Sequence, residues 1–148
     1  MCRTWSRLAV GFAVVAAVLP QTGCGESRAD VMGRVTYNGT PLAKPGGEIV
    51  FVGPKGTQIV APVAEDGTYR AVGVPTGLNR VAVYYPNPAF KDVKQAAFKR
   101  KGASPTSADS IPPFLTPVKY ASVETSDLSV EVGSATVFDA ALAGPPIP

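Results

Sequence analysis

The chain has 148 residues and a formal net charge of +3, with 17% charged residues, two cysteines and no histidine. Without histidine, Ser-His-Asp and Cys-His catalysis are excluded, and the commonest general base and metal ligand are missing. So small a charge excess gives no case for nucleic-acid binding, and the 15 glycines and 15 prolines suit short strands and tight turns better than a helical bundle.

Arg3 and Arg7 open the chain, an apolar run from Leu8 to Leu19 follows, and the small residues Thr22 and Gly23 lead into Cys24. Charge, apolar stretch and small-residue site in that order make a secretory signal. The run is too short to cross a bilayer, which takes roughly 20 residues, and Pro20 closes it. The cysteine directly after the small residues resembles a bacterial lipoprotein signal. That resemblance implies cleavage before Cys24, acylation of its thiol and a membrane anchor at the cell envelope, on the outer membrane or the periplasmic face. Gln21 departs from the pattern, which has leucine or a similar apolar residue three before the cysteine. Cys2 leaves with the signal, so Cys24 is the one thiol remaining where exported cysteines normally pair; that leaves an intermolecular bridge, a free thiol or a modified residue, and its place at the cleavage point favours modification. Residues 1–23 are thus read as signal and 24–30 as a polar tether. The mature chain keeps about 125 residues near +1, the size of one domain with a real core.

Val31 to Tyr37 reads as a first strand, with Val31, Gly33, Val35 and Tyr37 on one face and Met32, Arg34 and Thr36 on the other. Asn38-Gly39 is a strong hairpin signal because both residues tolerate positive φ, and Thr40 to Ala43 makes a short return. Further strands are expected at Glu48 to Val52, Gln58 to Val63, Thr68 to Val72 and Arg80 to Tyr85. Pro62 lacks an amide donor, so its strand belongs at an edge or carries a bulge. Glu65-Asp66 is the only adjacent pair of acids, and the following Gly67 makes it a turn between strands, not a catalytic carboxylate pair. Leu128 to Val132 and Thr136 to Leu142 are expected to pair around Gly133-Ser134, and Gly144 to Pro148 is expected to be an unstructured tail. About seven short strands with regular turns predict an all-β, antiparallel β-sandwich over 31–142.

One insertion, 86–116, interrupts this rhythm. Asn87 is a candidate N-cap and Pro88 a first helical residue. Phe90, Val93 and Ala97 recur at helical spacing, Phe98 lies close to that face, and Gly102 is a stop. Lys91, Lys94, Lys99, Arg100 and Lys101 form a candidate patch for an anionic partner: headgroups, acidic glycans or an acidic envelope protein. The same cations also complement the helix C-terminal dipole on a solvated face. Tyr84, Tyr85 and Phe90 make a poor sugar platform, since alternation sends one tyrosine inward and the other outward.

Gly33-Arg-Val-Thr-Tyr-Asn-Gly-Thr-Pro-Leu42, Gly47-Glu-Ile-Val-Phe51, Asp66-Gly-Thr-Tyr69 and Val74-Pro-Thr-Gly77 follow one another in order, with Pro117-Val-Lys-Tyr120 and Val137-Phe-Asp139 beyond them. Together they resemble the carboxypeptidase regulatory-like domain of small bacterial lipoproteins. The resemblance implies a transthyretin-like Greek-key sandwich used as an accessory or attachment module, and it supplies no catalytic residue to carry over. Val52-Gly53-Pro54 departs from the pattern by one residue before the proline.

No residue spacing marks a catalytic set, a metal site or a cofactor loop: Gly53 to Gly56 lacks the Lys-Ser/Thr of a phosphate loop. An isopeptide crosslink is not expected either, since the first strand offers Arg34 in place of lysine and the last offers Asp139 but no asparagine. The expectation is a lipid-anchored, non-catalytic β-module with a binding or structural role. The alternatives are a soluble exported carrier of a small ligand, and an envelope enzyme with an unconventional site.

Overall fold

Alternation of apolar and polar residues carries through into strands almost everywhere it was expected. The computed structural model describes residues 26–92 and 111–147. The signal segment, Cys24, and Lys94, Lys99, Arg100 and Lys101 lie outside the described residues. The described strands are β1 (Arg28–Tyr37), β2 (Thr40–Pro41), β3 (Gly47–Val52), β4 (Gln58–Val63), β5 (Thr68–Pro75), β6 (Gly77–Tyr84), β7 (Leu128–Val132), β8 (Thr136–Val137) and β9 (Ala140–Leu142). Residues 88–92 are helical, and Val118–Ala121 forms one 3-10 turn. The fold is all-β.

The strands follow one hydrogen-bonded path in the order β2-β1-β5-β4-β3-β6-β7, with β8 and β9 also on β1. The path folds over between β4 and β5, whose ladder is the single pair Val63↔Tyr69. On either side of this corner the two halves face each other like a sandwich. Val31, Val35, Ala71 and Val74 from one half meet Ile49, Phe51, Val81 and Val83 from the other in one fully buried cluster. The rings of Phe51 and Tyr69 span the corner with centroids 6.1 Å apart. Burying each large apolar side chain contributes about 1.5–3 kcal/mol, so this interior, filled by side chains, is what holds the halves together.

Asn38 (φ 49) and Gly39 (φ 82) form the two-residue hairpin turn between β1 and β2, as their tolerance of positive φ predicts. Asp66-Gly67 is likewise a turn. Asp66 Oδ1 accepts the Thr68 N–H at 2.9 Å and the Thr68 hydroxyl at 2.6 Å, so its carboxylate is spent on holding the turn. Pro62 pairs with Glu48 in β3, and on its other side the ladder resumes only at Val63. Its strand is therefore close to an edge where the proline sits, and no amide is needed there.

Three expectations change. First, β1 begins at Arg28, inside the stretch read as tether. Arg28 and Ala29 pair with Pro75 and Val74, and the register then shifts at Asp30. The bulge leaves Asp30 free to accept the Gly73 N–H at 3.2 Å and to bind Arg70 at 2.8 Å, which is why the alternation seemed to start only at Val31. Second, β7 does not pair with the segment after Gly133-Ser134. It lies along β6, and the chain then crosses to run β8 and β9 parallel to β1. Third, the C-terminal tail has no regular structure but is docked. Asn38 Nδ2 donates to Gly144 O at 3.0 Å, and the Tyr37 hydroxyl donates to Pro145 O at 2.6 Å.

The crossing depends on Gly33. A Cβ there would lie 1.9 Å from Phe138 O and 2.6 Å from Phe138 C, so only glycine lets the two backbones approach this closely. The Phe138 N–H donates to Met32 O at 2.9 Å, the Tyr69 hydroxyl to Phe138 O at 2.5 Å, and the Arg34 N–H to Asp139 Oδ1 at 2.8 Å. Arg34 and Asp139, the two positions weighed for a crosslink, thus meet through a backbone amide and a carboxylate.

Candidate functional site

A recess among the described residues lies where β3 begins and β6 ends. Asn87 builds it. Its side-chain oxygen accepts the Ala89 N–H at 3.1 Å and caps the helical turn, and the Phe90 N–H donates to its backbone carbonyl at 3.1 Å. Its Nδ2 donates to Pro112 O at 2.9 Å, and its N–H to Pro113 O at 3.0 Å. One nearly buried asparagine therefore starts the insertion and ties its two ends together. The Leu115 N–H to Tyr85 O bond at 2.8 Å and the bridge between Pro86 and Phe114 complete the stem.

Against this stem the Lys44–Gly46 loop leaves a groove of about 820 Å³. Prolines, Ile111 and Leu115 make its apolar walls, and Lys44, Lys91 and Glu48 supply its charge. The Glu48 carboxylate accepts the Tyr84 hydroxyl, and that bond with the adjacent negative charge pushes the Tyr84 hydroxyl pKa up. Tyr84 also meets Phe114 edge-on at 6.0 Å, while Tyr85 is fully buried and its pKa is raised by burial to about 12. The expected division of the two tyrosines, one outward and one inward, is the observed one. Among the described residues, the groove's lining side chains offer apolar contact and charge pairing.

Of the five residues of the basic patch, Lys91 is the one described. It is exposed on the helical turn and lines the groove. Lys44 and Glu48 join it there, and no local sequence signal marked either, because a loop and a strand distant in the chain bring them to Lys91. A second, shallower apolar recess of about 790 Å³ opens where β4 and β5 part, over Met32, Tyr69 and Val137. Burial, then the nearby Asp139 charge, pushes the Tyr69 pKa up, in keeping with a hydroxyl committed to Phe138 O. Among the described residues no helix is long and apolar enough to cross a membrane.

No protein-family model matches the chain, and no curated protein matches it in sequence. Among solved structures it is similar to a DUF3823 family protein from Parabacteroides merdae and another from Bacteroides ovatus, each 18% identical with a TM-score of 0.45. The matches cover 80% and 78% of this chain but 47% and 44% of theirs, so the chain spans less than half the length of either protein. What is shared is a β-rich fold.

Proposed function

We propose that this chain is a lipid-anchored, non-catalytic β-module of the bacterial cell envelope, of the carboxypeptidase regulatory-like kind, with a binding or structural role. One observation carries the proposal: Arg3 and Arg7, an apolar run and the small residues Thr22 and Gly23 lead in that order directly into Cys24, the only cysteine left after cleavage there. The fold supports it by starting β1 at Arg28, immediately after that point. The groove beside Asn87 is where such a module would receive a partner or ligand.

The test is the mass of the N-terminal peptide from protein purified out of native envelopes, beside a Cys24→Ser variant. Acyl chains on a peptide starting at Cys24, and release of the variant into the soluble fraction, are the expected results. An unmodified start elsewhere sinks the anchor. It would favour the second reading, a soluble exported carrier with the groove as its ligand site.

A further inference from the structure

The start of the described chain is fastened to one end of the fold. Ser27 O accepts the Thr76 N–H at 2.8 Å, and Glu26 Oε2 accepts the Thr57 hydroxyl at 2.9 Å. The Gly53–Thr57 turn and the β5–β6 turn at Thr76 therefore form the pole from which the N-terminus leaves. β3 and β6 are antiparallel, with Val52 opposite Arg80 near this pole and Glu48 opposite Tyr84 at the far end. The groove and Lys91 lie beyond that far end. The eight residues of β6 span about 25 Å at a rise of about 3.3 Å each.

The chain between Cys24 and Glu26 is two Cα steps, a reach of about 7 Å. So short a link gives the domain little freedom to tumble. We propose, resting on the lipid-anchor reading, that the pole made by the Gly53–Thr57 turn and Thr76 is the surface that faces the anchoring bilayer. Exposed Lys55 sits on that pole, positioned toward lipid headgroups. The groove and Lys91 open on the opposite side, several Debye lengths away, since that length is about 8 Å at physiological salt. Lys91 therefore does not act on the headgroups of its own membrane, and whatever occupies the groove arrives from the aqueous space beyond.

The chain starting at Cys24 has one thiol and no tryptophan, because Trp5 leaves with the signal. Lys55→Trp and Lys91→Trp variants, both at exposed positions, are coupled through Cys24 to a maleimide phospholipid in phosphatidylcholine vesicles carrying a dansyl-headgroup lipid. Circular dichroism establishes that each is folded before coupling. Energy transfer to dansyl should be several-fold greater from position 55 than from position 91. A flexible spacer of about ten Gly/Ser residues after Gly25 should erase the difference. Equal transfer without the spacer, or stronger transfer from position 91, overturns the proposed orientation. Because the lipid is attached chemically, the result stands apart from native acylation. An N-terminal mass without acyl chains would sink the anchor reading and leave the tether geometry intact.

Discussion

Replacing Gly33 by alanine tests the one place where two backbones meet with no room for a side chain. The added methyl would sit 1.9 Å from Phe138 O, far inside contact distance, and its neighbours are main chain on a crossing strand. If β1 and the crossing stay together, overpacking of this kind costs about 1–3 kcal/mol. If they part, the bonds of Met32 O, Tyr69 and Arg34 to residues 138 and 139 are lost, at about 1 kcal/mol net each. The loss is therefore about 1–3 kcal/mol by either route. At about 3–5 °C per kcal/mol for a domain of this size, the melting temperature should fall by about 3–15 °C. Urea denaturation beside thermal melts gives the measurement. Gly133→Ala is the control, since a Cβ there meets nothing within 4 Å and should change stability by less than about 0.5 kcal/mol. A Gly33→Ala chain as stable as that control would falsify the close parallel crossing of β8 and β9 on β1.

Asn87→Ala should cost about 1–2 kcal/mol, because it removes a helix cap and leaves Pro112 O without its partner; unchanged amide exchange at Ala89 and Phe90 would refute the role of Asn87 as the clasp of the insertion. Asp30 is held below its ordinary pKa of 3.8 by Arg70 first and then the Gly73 amide, and Asp66 by the Thr68 hydroxyl and then the Thr68 amide. A carboxyl depressed on folding stabilises above its unfolded pKa and loses that contribution as pH falls through the folded one. Melting temperature should therefore drop as pH is taken below 3.8, and less steeply in an Asp30→Asn, Asp66→Asn double variant; identical slopes would refute the assignment. Tyr85 has the opposite sign. Its pKa is raised by burial from 10.0 to about 12, so unfolding releases its proton and stability falls as pH rises through that interval. Tyr85→Phe should flatten the alkaline loss, and tyrosinate absorbance should show one fewer late-titrating group; an unaltered alkaline slope contradicts its burial as a neutral phenol.

Several features of this protein were legible residue by residue because their causes are local. Asn38-Gly39 tolerates positive φ at both central positions of a hairpin, and the chain turns there. Asn87-Pro88 supplies a cap and an amide-free first turn, and the helical turn starts there. The period of two from Val31 to Tyr37 sorted buried from exposed side chains correctly, as did the opposite placement of Tyr84 and Tyr85. The proposed address at Cys24 likewise rests on sequence alone, on the order of charge, apolar run and small residues.

Tertiary structure decided the rest. Alternation says that 136–142 contains strand but carries no information about its partner; the partner became β1 because Gly33 alone leaves space for Phe138 and Tyr69 holds its carbonyl. The polar look of residues 28–30 hid a strand start, because the Asp30 carboxylate finds its amide and guanidinium in β5, about forty residues on. Lys44, Glu48 and Lys91 share a groove only because β3 and β6 lie side by side and the stem at Asn87 closes over their ends. Backbone preference acts over a few residues and is encoded where it acts. Strand partners and groove walls are chosen by shape and burial between distant segments, and those become definite only when the chain has packed.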